Sequence, residues 1–213
     1  MSHHNESLLV GSNLVSFGAS ISADQRADVM DCLLYAELSA DGKYHRSHQW
    51  REWIEQYQRV IYQKGSRISG AINPIRLEMR SVRDLRKLPE QLMGQATSPE
   101  LKQLLERSIQ ALMGSDHAAT FFNSWFSKGR TETLQVIPCA ANRQGGVNIL
   151  VCGLQMTTQA LAAAGYFWEQ LYGLMTVRGN GASFLMTEES YAPYREPIAR
   201  YLARQARQAI IEL

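Results

Sequence analysis

The fold is decided by residues 131–156, which read TETLQVIPCAANRQGGVNILVCGLQM. Two runs rich in β-branched and other apolar residues flank a polar segment with two adjacent glycines, which is the pattern of a β-hairpin. The second run, Val147–Leu154, is almost continuously apolar, as in a strand that is covered on both faces. Strand-like runs follow at residues 165–177 and 182–187, and the Gly- and Asn-rich residues 178–181 between them are interpreted as another hairpin turn. This order predicts an antiparallel β-meander.

Helical patterns precede the meander. Apolar residues recur at steps of three and four from Ala23 to Leu38 and cover enough of the circumference to predict a centrally placed helix. A second helix, predicted over Ser47–Gln63, is amphipathic. We expect its aromatic face to be buried against the first helix, with an aromatic ligand-binding face as the alternative. The stripe of the first helix comprises Ala27, Met30, Leu34 and Leu38, widened by Val29, Cys32, Leu33 and Ala36, and the aromatic face of the second comprises Trp50, Trp53 and Tyr57.

The remaining elements complete the prediction of the fold class. Alternation between Ile68 and Arg80 predicts a strand, in which Pro74 indicates a sheet edge or a bulge. The triplet Ser98-Pro99-Glu100 predicts the start of a helix, and a closing helix is predicted from about Ser190. Helices, a meander and a closing helix predict an α+β fold. In this fold an antiparallel β-meander packs with several α-helices around a single layered core.

Composition bounds the class of protein. The chain has 213 residues, of which 45% are hydrophobic and 20% charged, and its formal net charge is +2. These values exclude a disordered chain and a strongly basic nucleic-acid-coating protein, so we expect no nucleic-acid partner. Three cysteines are too few for a disulfide scaffold. We expect one α+β domain over residues 1–213, with residues 1–20 as a flexible N-terminal segment.

Targeting signals are weak. No apolar run approaches the roughly 20 residues that a membrane-spanning helix needs. The N-terminal residues MSHHNE lack the basic start of a secretory signal. We therefore expect synthesis in the cytoplasm without a signal peptide, with membrane association or export by a signal-independent route left open.

Few residues indicate chemistry. None of the common nucleotide-binding, hydrolase or metalloprotease motifs occurs. Cys139, with Asp116 and His117, permits a cysteine nucleophile activated by an imidazole, as in an acyl-transferase or hydrolase. His45 and His48 lie close together but lack a carboxylate or cysteine at a matching step, so no metal site is expected.

The closing helix carries a basic face. Arg200, Arg204 and Arg207 recur at helical spacing, which places them on one side. A solvated face is the simple interpretation. The more specific interpretation is that this face contacts an anionic membrane surface peripherally, where each arginine contributes about 1 kcal/mol.

Five stretches together resemble the family of the bacterial virulence factor Evf. They cover the two first helices, the strand–Cys–strand element and the start of the closing helix. The stretches are residues 31–44 (DCLLYAELSADGKY), 50–57 (WREWIEQY), 134–141 (LQVIPCAA), 147–154 (VNILVCGL) and 186–191 (MTEESY).

The resemblance implies a specific function. Members of the family are non-enzymatic α/β proteins that carry palmitate as a thioester on an internal cysteine and associate with membranes. The matching position in this sequence is Cys139. The resemblance thus implies a bacterial virulence or host-interaction factor with covalent palmitate, no other cofactor and membrane lipid as its partner, while the host partner stays unknown. We expect Cys139 to be buried and to face an elongated apolar cavity. The alternatives are the cysteine enzyme using Cys139, His117 and Asp116, or a protein-interaction module without lipid.

Overall fold

The computed structural model describes residues 6–10, 13–80, 82–92, 98–114, 131–158 and 175–211. These residues form helices and one mixed sheet, and the α+β class is confirmed. A short 3₁₀ helix at Val82–Lys87 precedes α3. The strands are β1 (Glu6–Val10), β2 (Asn13–Phe17), β3 (Ser66–Met79), β4 (Thr131–Ala141), β5 (Val147–Thr158) and β6 (Met175–Met186), and the helices are α1 (Ala23–Asp41), α2 (Trp50–Gln63), α3 (Leu88–Leu92), α4 (Pro99–Gly114) and α5 (Glu188–Ile211).

The sheet has the order β1-β2-β4-β5-β6-β3 among the described residues. The predicted meander is confirmed as β4-β5-β6, whose neighbours pair antiparallel. The turn between β4 and β5 closes at Asn142, whose N–H donates to the Gly146 carbonyl at 2.8 Å, and Gly145 adopts a positive φ of 80°. β3 is the last strand in this order and pairs with β6. The register of this pair shifts between Ile72 and Ile75, which confirms the bulge expected at Pro74.

The second predicted turn is wrong. Residues 178–181 lie inside β6, which runs without interruption from Met175 to Met186. Gly179 leaves room for a side chain of the neighbouring strand β3 instead of forming a turn. A Cβ on Gly179 would lie 2.6 Å from Cγ1 of Ile75. The part of the predicted strand 165–177 that precedes Met175 lies outside the described residues.

The N-terminal segment also differs from the expectation of a flexible tail. β1 and β2 pair antiparallel, and β2 pairs in parallel with β4. All five residues of β2 are buried, including Val15 and Phe17. This burial could not be predicted from the pattern, because a five-residue strand that contains Asn and Ser is not recognisably apolar, and its two faces are covered only by elements distant in sequence.

Helices cover both faces of the sheet, so the core is divided instead of forming the single layer predicted. We call the side covered by α1, α2 and α5 the α2 face, and the side covered by α3 and α4 the α4 face. β5 supplies residues to both, and its predicted double burial is confirmed. Its residues Val147, Ile149 and Val151 belong to the α2 face, and Leu150, Cys152, Leu154 and Met156 to the α4 face.

Helix α1 is rotated from its predicted orientation. Its buried stripe comprises Val29, Cys32, Leu33, Ala36 and Ala40, whereas Leu34 is 40% exposed and Ala27 is exposed. The apolar residues of this helix are spread around much of its circumference, so packing under α2 decides which of them are buried. The burial of Trp50, Trp53 and Tyr57 on α2 is confirmed.

Candidate lipid-attachment and membrane-facing sites

Cys139 lies in the middle of the α2 face. Its Cα partners across the sheet are Phe17 on β2 and Ile149 on β5, and Phe184 continues the same row on β6. The Cys139 side chain is fully buried, as expected, and its Sγ lies 3.7 Å from the Ile137 carbonyl. The cysteine is thus part of the packed interface between the sheet and the helices.

Burial controls the chemistry of this thiol. It raises the pKa of Cys139 well above its usual range, and no cation among the described residues opposes the shift. A thiol that stays protonated at neutral pH is a poor nucleophile. The structure therefore offers no support for an activated Cys139, and the predicted partners Asp116 and His117 lie outside the described residues.

Tyr57 of α2 belongs to the same interior. Burial raises the pKa of its hydroxyl strongly, and the charge of Glu37 acts in the same direction, whereas that of Arg46 opposes it. Its hydroxyl has no hydrogen-bond partner among the described residues. Trp53 stacks on the Tyr57 ring with centroids 5.2 Å apart. This neighbourhood is mainly apolar, with one unsatisfied hydroxyl, and it is closed to solvent.

Two surface clefts can be described from the residues that the structure describes, and Cys139 lines neither of them. The first, of about 650 Å³, is lined by residues 19–23 and Arg26. The second, of about 550 Å³, lies between the start of α4 and the β4–β5 hairpin. Neither is the elongated cavity at Cys139 that the resemblance implies.

The predicted basic face and histidine pair lie at the surface. Arg200 and Arg204 are exposed on α5, where Nε of Arg200 lies 3.7 Å from Oε1 of Glu196. Arg207 belongs to the same helix. His45 and His48 are exposed with ring centroids 4.6 Å apart. Within the described ranges, no group of three or more His, Cys, Asp or Glu is placed to hold a metal ion.

Two arginine clamps were not predicted. Arg195 of α5 donates to both carboxylate oxygens of Asp28 on α1, at 2.7 and 2.6 Å, and also to Glu188. Arg46 donates to Glu37 and Asp41 near the end of α1, and Asn13 of β2 donates to Glu37 at 2.6 Å. The sequence shows that Asp28 and Glu37 belong to the predicted first helix and that Asp41 follows closely, but it does not indicate which arginines they contact.

A cluster of tyrosines around Lys64 was also missed. Lys64 directly follows α2, and its ammonium lies 5.1 Å from the ring centroid of Tyr35 and 5.3 Å from that of Tyr194. Tyr201 meets Tyr35 edge-on, with centroids 5.1 Å apart and ring planes at 76°. The rings come from α1 and α5, which are distant in sequence.

Comparison with solved structures identifies proteins with a similar fold. No family model matches the chain, and no curated protein sequence matches it significantly. The activated Cyt2Ba monomer from Bacillus thuringiensis subsp. israelensis superposes with a TM-score of 0.52 and 10% identity, covering 81% of this chain and 96% of that one. A delta-endotoxin superposes with a TM-score of 0.50 and 12% identity, covering 86% of each chain.

The chain shares the fold of these two structures. The structure of the Evf virulence factor also matches, with a TM-score of 0.36 and 11% identity over 92% of this chain and 82% of that one. That match is weak, so the likeness to Evf stays a resemblance. In the part of the chain that the structure describes, no helix combines the length and apolarity needed to cross a bilayer.

Proposed function

We propose that this protein is a toxin-like virulence factor that acts at a lipid membrane. The observation that carries the proposal is the fold shared with a delta-endotoxin over 86% of this chain. The basic face of α5 supports the membrane as the site of action. Its exposed Arg200 and Arg204 would each gain about 1 kcal/mol near an anionic surface.

The experiment is release of a trapped dye from vesicles. Purified protein is added to vesicles of phosphatidylcholine with and without phosphatidylglycerol, and binding is followed in parallel by co-sedimentation. We expect binding that increases with anionic lipid, followed by dye release that increases with protein concentration. Absence of both binding and release on every vesicle composition, together with absence of toxicity to cultured cells, would contradict the proposal.

The finer part of the proposal concerns Cys139. We propose that a palmitoyl group is attached to this thiol, as the resemblance to the Evf family implies. Complete burial supports the idea in one respect, because a thioester at Cys139 would be protected from water. The acyl chain needs space, so the α1–α2 layer would have to shift away from the α2 face of the sheet to accommodate it.

Intact mass tests the acylation directly. We expect the protein isolated from its bacterial host to carry the mass of one palmitoyl group, and hydroxylamine to remove it. Cys139→Ser should lack the added mass. Cys152→Ser is the matched control, since Cys152 is equally buried but lies on the α4 face. An unmodified mass in the native protein would contradict acylation while leaving the membrane proposal intact.

A further inference from the structure

The cation of Lys64 is held by aromatic rings. Its ammonium lies between Tyr35 of α1 and Tyr194 of α5, at 5.1 and 5.3 Å from their centroids. Both distances are within the range in which a cation is attracted to the face of a ring. No described carboxylate lies within ion-pair distance of this ammonium. Two aromatic rings therefore take the place of the usual acidic partner.

The two rings are held in position from two sides. Tyr201 packs edge-on against Tyr35, and the Asp28–Arg195 pair joins the same two helices. Tyr35, Tyr194 and Lys64 are half-buried, so a ligand from solvent can reach the site. The structure thus presents two fixed aromatic rings, from separate helices, with a cation between them.

We propose that Tyr35 and Tyr194 form a binding site for the quaternary ammonium of a choline group, which Lys64 occupies until the ligand displaces it. A lysine ammonium is strongly hydrated and lies at the end of a flexible stem, so it is an exchangeable occupant. A trimethylammonium group is weakly hydrated and lacks N–H donors, and aromatic faces are its preferred surroundings.

One exposed cation of α5 follows the cluster along the helix and is available to the phosphate that accompanies choline. Arg204 lies one helical turn after Tyr201 on α5 and is exposed. The choline group could belong to soluble phosphocholine or to the headgroup of phosphatidylcholine. Only the lipid source rests on the proposed function.

Binding of soluble phosphocholine is the first test. The full chain and its variants are titrated with phosphocholine by calorimetry, with folding checked by circular dichroism. Tyr194→Leu should weaken binding about tenfold, since it removes one of the two ring faces. Tyr194→Phe should retain binding because the ring remains. Tyr44→Leu, in the loop between α1 and α2, is the control and should bind like the wild type.

Lys64→Ala tests the displacement. Because the variant removes the competing cation, we expect it to bind phosphocholine several-fold more tightly than the wild type. Its backbone role at the end of α2 is retained, since only the main-chain N–H donates there. Unchanged affinity in Lys64→Ala, or wild-type affinity in a folded Tyr194→Leu, would overturn the proposal.

Vesicles separate the two sources of choline. If the lipid headgroup is the ligand, Tyr194→Leu should lose binding to pure phosphatidylcholine vesicles but keep its binding to phosphatidylglycerol. Phosphocholine binding without any vesicle binding would retain the site and contradict the membrane proposal. Dye release by Tyr194→Leu equal to that of the wild type on pure phosphatidylcholine vesicles would retain the membrane function and overturn a headgroup role for the site.

Discussion

Gly181 of β6 has no room for a side chain beside its neighbour β5. A Cβ built on this glycine would overlap the backbone carbonyl of Val151 and would lie 2.7 Å from Cδ1 of Ile72. The backbone of a central strand cannot move aside as a flexible side chain can. At the residue scale, this glycine is therefore a condition for the pairing of β5 with β6.

The first prediction is that Gly181→Ala destabilises the protein by about 2–3 kcal/mol, because the added methyl group overpacks the sheet. Urea unfolding measures the change. Gly42→Ala is the control, since Gly42 has a helical φ of −68° and a Cβ there would meet the Leu38 and Ser39 carbonyl oxygens at ordinary distances of 3.4 and 3.9 Å. The control should be neutral or slightly stabilising. Equal stability of both variants would contradict the close approach.

Cys32 provides a prediction about pH. Burial raises the pKa of this thiol from 9.0 to about 12, although the nearby Lys64 acts in the opposite direction. The folded protein holds this proton more tightly than the unfolded chain. The resulting stability is therefore present below pH 9 and is lost as the pH rises toward 12.

The second prediction compares the wild type with Cys32→Ala. Between these two pH values the wild type should lose about 1.4 kcal/mol more stability per pH unit than the variant, in which this titration is absent. Urea midpoints at several pH values measure the difference, and other titrating groups cancel in it. Parallel curves for the two proteins would show that Cys32 ionises as readily in the folded state as in the unfolded one.

Helix α1 is joined to the rest of the molecule by polar contacts at both ends. Near its start Asp28 pairs with Arg195 of α5, and near its end Glu37 and Asp41 pair with Arg46. Trp53 donates its indole N–H to Asp41 at 2.8 Å, and the Arg46 guanidinium lies over the Trp53 ring. At the element scale, these contacts fix the rotation of a helix whose apolar surface is too uniform to fix it alone.

The third prediction is that Arg46→Met destabilises the protein by about 2–4 kcal/mol, because it leaves the Glu37 carboxylate buried without its cation. The Glu37 side chain is only 11% exposed, so water cannot fully replace the guanidinium. Arg51→Met, at an exposed position on α2, is the control and should change stability by less than about 0.5 kcal/mol. If both variants unfold at the same urea concentration, the clamp does not stabilise the fold.

The whole molecule carries a formal net charge of only +2, so attraction to an anionic membrane depends on where the charge lies. Arg200 and Arg204 lie on α5, on the α2 side of the sheet, whereas Lys102 and Arg107 are exposed on α4, on the opposite side. Two positive charges can therefore be removed by substitution on either side of the sheet. Their comparison separates local contact from the effect of overall charge.

The fourth prediction is that Arg200→Gln with Arg204→Gln lowers binding to phosphatidylglycerol-containing vesicles roughly 25-fold, at about 1 kcal/mol for each arginine. Added salt should weaken wild-type binding in the same way, since exposed charges are screened. The control is Lys102→Gln with Arg107→Gln, which should bind like the wild type. A similar loss in both double variants would assign the attraction to overall charge rather than to α5.

The sequence by itself determined the local elements of this protein. The meander, the double burial of β5 and the aromatic face of α2 follow from periodicity, because a strand or a helix imposes its own repeat on whichever side chains face the core. The start of α4 is equally local, since Ser98 accepts the N–H of Leu101 through its own side chain. Such features need no knowledge of distant residues.

Only the tertiary structure decided the rest. The β1–β2 segment, the rotation of α1 and the continuity of β6 through Gly179 and Gly181 depend on neighbours that are far away in the chain. The same holds for the candidate sites: Asp28 and Arg195 are separated by 167 positions, and Tyr35 and Tyr194 are joined to Lys64 only by the packing of α1 against α5. Periodicity describes how one element repeats, whereas a site requires side chains from several elements to meet, and that meeting is set by the packing of the whole core.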